Sequence, residues 1–291
     1  MTRGRLAAAG ALLLLAGPAC RRGPAGAAAE DPLAGARTLV EERRFDEAIA
    51  AVGEQGDAEA LYLLGRAWAG KAQAAPVPTP VPGVSGWTPL KLEERQALAF
   101  FERAVGARPD HAGAHLAIAN LLAPHALAAA RRGGGAAAGN GTVTRVLQSY
   151  GRAMQADPAG TAAVESMIRF ATAAGRVSEA EGAFQELVRR RREDPDVLVR
   201  YGDFLAGPGR NAEGALAQYS QALIWRPDDT ATRLKVADIH LAAASTLLTE
   251  REYAAAEVRL RDARRFVADP ASAEAARLRE LEGRLREIRG R

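Results

Sequence analysis

Two distant segments of the chain carry the same residue types at the same offsets. In ALAFFERAVGARP these are Ala97, Phe101, Ala104 and Pro109; in ALAQYSQALIWRP they are Ala215, Tyr219, Ala222 and Pro227. Offsets of four and three fall on one face of an α-helix, and a following Pro stops the helix and sets up the next. The spacing recurs at Val146, Tyr150, Ala153 and Pro158. It appears again at Ala180, Phe184 and Leu187, with the proline delayed to Pro195, and at Ala256, Leu260 and Ala263, ending at Pro270. Ala48 and Val52 form a short first copy. A helix that presents one apolar face again and again must bury it against its own neighbours, which constrains the fold more tightly than composition does.

A partner helix lies upstream of the copies. Its apolar positions are Leu61, Leu64, Gly65 and Trp68; His115, Ile118, Ala119 and Leu122; Leu198, Tyr201, Gly202 and Leu205; and Val236 with Ala237. In each set a small residue follows a large one, so a second helix can cross closely. Ala is abundant and favours helix, while β-branched runs of period two are absent, so the chain reads as all-α. Apolar residues at 48% and charged residues at 25% exclude wholesale disorder.

Together these helix pairs resemble the tetratricopeptide repeat, a helix–turn–helix unit of about 34 residues. The clearest full copy runs from Thr161 to about Asp194, with Gly175 at its turn, and the intervals Pro158–Pro195 and Pro195–Pro227 lie near that period. The resemblance implies a right-handed superhelical solenoid of about six helix pairs over residues 33–270. A final helix from Ser272 to Ile288, within a capping region 271–291, turns Leu278, Leu281 and Leu285 inward and Arg and Glu outward, as a terminal cap requires.

By the same resemblance, the second, fifth, ninth and twelfth residues of each unit face a concave groove. Here they are Tyr62 and Arg66, Leu116 and Asn120, Glu165 and Arg169, Val199 and Asp203, and Leu234 and Asp238. Arg66 and Arg169 fall toward the first half and Asp203 and Asp238 toward the second. A mixed-charge groove with apolar steps suits an extended peptide or a partner helix. The family's carboxylate-binding clamp uses Lys and Asn in the groove, and only Asn120 matches it.

Two insertions interrupt the array, at 75–90 and 131–142. The first, rich in alternating Pro and containing Trp87, favours an extended, polyproline-like loop over helix. The second, RRGGGAAAGNGTV, has no Lys and no preceding strand, so it is no phosphate loop and reads as a flexible connection. Pro124 is expected to kink or end the helix before it.

At the N-terminus, Arg3 and Arg5 precede an apolar run from Leu6 to Ala16, then Gly17, Pro18, Ala19 and Cys20. This pattern is a secretory signal over residues 1–19, its apolar run too short to span a bilayer. It resembles a bacterial lipoprotein signal, in which the Cys is lipidated and becomes the first residue, although Gly17 stands where that family usually has Leu. Cys20 is the only cysteine. Residues 20–32 would then be a flexible tether, and Arg21 in place of Asp favours an outer-membrane address. The rival is ordinary cleavage after Ala19 or Ala29 without lipid.

Catalytic signatures are missing. The pair His111 and His115 lacks the Glu of a zinc-protease motif, His125 and His240 are isolated, and no Ser sits in a nucleophile elbow. Of 39 basic residues only Lys71, Lys91 and Lys235 are lysine, and 35 acidic residues are interspersed with them, unlike a nucleic-acid-binding arm. The run VRRRREDP (Val188–Pro195) reads as a charged helix end. The expectation is a non-enzymatic scaffold without metal or cofactor, exported and lipid-anchored in the envelope, facing the periplasm. It binds a protein or peptide partner rather than nucleic acid or a small substrate, in envelope assembly or secretion. The alternative is a soluble periplasmic accessory that regulates a cell-wall enzyme.

Overall fold

The computed structural model describes residues 31–74, 90–131 and 136–290. The signal segment with Cys20, most of the tether, the segment 75–89 with Trp87, and the glycines at 133–135 lie outside the described residues. Among the described residues there are thirteen α-helices and no strand. Twelve of them form six antiparallel hairpins: α1 (Ala34–Glu41) with α2 (Phe45–Val52), α3 (Ala58–Ala74) with α4 (Leu92–Ala107), α5 (Ala112–Arg131) with α6 (Ala136–Ala156), α7 (Ala162–Ala173) with α8 (Val177–Arg190), α9 (Pro195–Ala206) with α10 (Ala212–Trp225), and α11 (Thr230–Thr249) with α12 (Tyr253–Phe266). The last helix, α13 (Ala273–Arg289), packs on α11 and α12 through buried Leu278, Leu281 and Leu285. The molecule is an all-α superhelical stack of tetratricopeptide-like helix pairs.

Local chemistry sets the helix starts. The Asp194 carboxylate accepts from the amides of Asp196 (3.0 Å) and Val197 (3.4 Å), and Pro195 takes the first helical position of α9, where its missing N–H costs nothing. Asn211, Asp229 and Ser272 cap α10, α11 and α13 in the same way. Gly175, at φ 68°, makes the left-handed turn between α7 and α8.

Every substantial helix–helix contact joins elements adjacent or next-but-one in the chain. Contacts of the second kind link α1 to α3, α3 to α5, α5 to α7, and α11 to α13. First helices therefore stack on first helices along one side, and among the described residues the array does not fold back to bury that side. Its largest apolar cluster runs from Ala97 in α4 to Val236 in α11. The helix α5 is long and apolar enough to cross a membrane by length and composition; here it packs against α3, α4, α6 and α7.

In two hairpins, the aromatic residue of the second helix lies against a glycine of the first. A Cβ on Gly65 would stand 2.5 Å from the Phe101 ring, and one on Gly202 would stand 2.4 Å from the Tyr219 ring. In these two hairpins the small residue that follows a large one is the seat of the aromatic.

The open ends of three hairpins are closed by an acid in the first turn of one helix and the Arg that ends the other. Glu59 faces Arg108 (3.5 Å), Glu165 faces Arg191 (3.6 Å), and Asp196 takes both guanidinium nitrogens of Arg226 (2.6 and 2.8 Å). Each pair joins an anion at a helix N-terminus to a cation at a C-terminus, and so also suits both helix dipoles.

The arginine run that ends α8 has a second role. Arg190, one-tenth exposed, reaches the turn before α7 and donates to the carbonyls of Met154 (3.3 Å), Asp157 (3.2 Å) and Gly160, while Nε bonds Glu186 (2.6 Å). The cation therefore satisfies the C-terminal carbonyls of α6, the preceding hairpin, and not only the end of its own helix.

Two expectations need correction. Pro124 does not end its helix: α5 continues to Arg131. The residue is exposed, while Leu122 and Ala126 on the opposite face are buried and hold the helix in place. The second insertion is also shorter than the 131–142 expected, because α6 begins at Ala136.

Candidate partner-binding groove

On the side formed by the first helices, a cavity of about 380 Å³ opens between α3 and α5. Tyr62, Arg66, Leu116 and Asn120 all line it, with Val40 and Phe45 of the first hairpin at one end. The Tyr62 ring packs 5.9 Å from Phe101 and 4.8 Å from the buried His111 ring. Arg66 lies over the same ring at 5.9 Å. Burial pushes the Tyr62 hydroxyl upward in pKa, keeping it neutral, and pulls the His111 imidazole down, assisted by the Arg108 charge.

A second cavity, about 450 Å³, lies between α5 and α7, with Tyr150 of α6 at its floor. Asn120 and Arg169 border it, joined by Leu127, Arg131, Ser166 and Phe170. Asn120 borders both cavities, which lie side by side across α3, α5 and α7. The Tyr150 hydroxyl donates to Asn120 Oδ1 (2.9 Å), and burial pushes that phenol up to about 12 against the opposing charge of Arg169. With its oxygen engaged, Asn120 keeps its NH2 as the side-chain group able to donate to a ligand. Arg169 donates to Ser166 Oγ (2.9 Å).

The remaining expected positions behave differently. Glu165 is held at the hairpin end by Arg191 (3.6 Å). Val199 packs, half-buried, on the main core, and Leu234 is half-buried on α11. Asp203 accepts from Tyr219 Oη (2.7 Å) and from Lys235 Nζ (2.7 Å to Oδ2), and Asp238 pairs with Arg277 of the cap (2.8 Å). The second half of the gradient read from the sequence is therefore neutralised internally.

The sequence reading missed Arg131, Leu127, Tyr150, Ser166 and Phe170. A signal for two of them exists. Asn120, Pro124, Leu127 and Arg131 are spaced by four, three and four, one helical stripe continued past the twelfth position. It went unread because Pro124 was expected to kink or end α5, which breaks the stripe at that point. Among the described residues, no group of three His, Cys, Asp or Glu side chains could hold a metal. His115 bonds the Pro109 carbonyl (2.8 Å) and His125 bonds Glu94 (3.2 Å).

No family model and no curated protein matches the sequence. Similar solved structures do exist. One is a thermophilic TPR protein of Thermus thermophilus, at 19% identity, covering 72% of this chain and 96% of that one, with a TM-score of 0.41. Another is MamA of Desulfovibrio magneticus, at 16% identity, 68% and 98% coverage, and a TM-score of 0.43. A third is YrrB, described as a TPR protein with an unusual peptide-binding site, at 15% identity, 81% and 97% coverage, and a TM-score of 0.43.

Proposed function

We propose that the chain is an exported, lipid-anchored scaffold that holds a segment of a partner protein along the inner face of α3, α5 and α7. The observation that carries this reading is the pair of cavities sharing Asn120, lined by side chains from three successive first helices. An extended peptide laid across the stack meets one helix after another, and concave faces of solenoids serve this purpose.

The anchor rests on the signal segment and Cys20. Several acyl chains on one Cys hold a protein to a bilayer stably, each buried methylene contributing about 0.8 kcal/mol. The tether would place the groove in the periplasm, facing assembly or secretion machinery. Growing cells with a labelled fatty acid tests this part: wild type is expected to carry label and Cys20→Ser to lose it. An unlabelled wild type recovered in the soluble periplasmic fraction would contradict the anchor and favour the soluble accessory.

A further inference from the structure

The groove's charges divide sharply by whether the chain satisfies them itself. Glu165, Asp203 and Asp238 each have a cation within the molecule, at Arg191, Lys235 and Arg277. Arg66, Arg131 and Arg169 have no carboxylate partner among the described residues. These three cations border the α3–α5 and α5–α7 cavities with Asn120 between them. The accessible apolar surface of the second cavity comes from Ala123, Leu127 and Ala128. Pro124 has no N–H, so it also leaves the Asn120 carbonyl without its usual helical donor.

Resting on the reading of this face as the partner surface, we infer that the occupant is an acidic, extended segment of a partner protein, with carboxylates flanking an aliphatic side chain. Its carboxylates meet Arg66 on one side and Arg131 and Arg169 on the other, where charge-assisted bonds to guanidinium are strongest. Its aliphatic side chain covers Leu127 and Ala123, both half-buried. The Asn120 NH2 donates to the segment's backbone carbonyl. In the second cavity nucleic acid fits less well: single strands need exposed aromatic platforms for base stacking, whereas Tyr150 and Phe170 there are 2% and 3% exposed.

The test is selection of a phage-displayed library of random nonapeptides on the purified full chain. The selected pool is expected to be rich in Asp and Glu around Leu, Ile, Val or Met. In fluorescence anisotropy, one selected acidic peptide should bind the Arg66→Gln/Arg131→Gln/Arg169→Gln variant about tenfold or more weakly, while that variant keeps the wild-type melting temperature. The control Arg192→Gln, an exposed arginine outside the groove, should leave affinity within about twofold. Selection of neutral or basic peptides, or equal binding to the triple variant, overturns the acidic occupant while leaving the groove reading in place. A loss in Arg192→Gln as large as in the triple variant also overturns it, as general charge attraction. Failure to select any peptide, with tight binding of a uridine oligonucleotide instead, overturns both.

Discussion

Gly202→Ala is expected to lower the stability of the chain by about 2–3 kcal/mol, although Ala is the better helix former by about 1 kcal/mol. The new Cβ would stand 2.4 Å from Cε1 and 2.7 Å from Cδ1 of Tyr219. That ring has nowhere to go. It is 2% exposed, its hydroxyl is held by Asp203 at 2.7 Å, and Lys235 lies over it at 5.7 Å. Moving it would break the Asp203–Tyr219 bond and separate α9 from α10. Gly182→Ala supplies the opposite sign, because nothing lies within 4 Å of its Cβ on exposed α8. That variant should gain up to about 1 kcal/mol from helix propensity. Chemical denaturation of both variants checks the pair, and a stabilised Gly202→Ala would show that the two helices of this hairpin are not in such close contact.

Arg190→Ala is expected to cost about 3 kcal/mol, the scale of losing charge-assisted hydrogen bonds and leaving their acceptors unmet. The Met154, Asp157 and Gly160 carbonyls would lose their donor, and Glu186 one of its two arginine partners. Arg190→Lys should recover little of this, since one ammonium cannot span the carbonyls that the planar fork reaches. Arg192→Ala in the same run, exposed and with no ion pair among the described residues, should stay within about 0.5 kcal/mol of wild type. Equal, small losses at the two positions would mean that the run is merely a solvated helix end.

These two residues also show what the sequence can and cannot reveal. Gly202 was legible, because local spacing placed a small residue where a neighbouring helix must cross, and Tyr219 sits at the matching offset in the next helix. The six hairpins and the inward leucines of α13 follow from the same short-range pattern. The role of Arg190 was not legible, since its carbonyl partners lie 30 to 36 residues away. The same holds for the groove charges. Asp203 and Asp238 read as free acids until Lys235 and Arg277, 32 and 39 residues on, are seen to cover them. Periodicity records which face a residue occupies, but not which long side chain from the next unit will meet it there. The length of α5 was misread for a different reason. Pro weakens a helix locally, and here burial of Leu122 and Ala126 on the opposite face outweighs that cost.

The central claim is that the inner face of α3, α5 and α7 is where a partner segment binds. Amide hydrogen exchange of the full chain, with and without a saturating selected peptide, addresses it most directly. Added protection is expected in α3, α5 and α7, strongest around Arg66, Asn120 and Arg169, with α4, α8 and α12 unchanged. Protection confined to those second helices, or to α13, would place the partner on another surface and contradict the account.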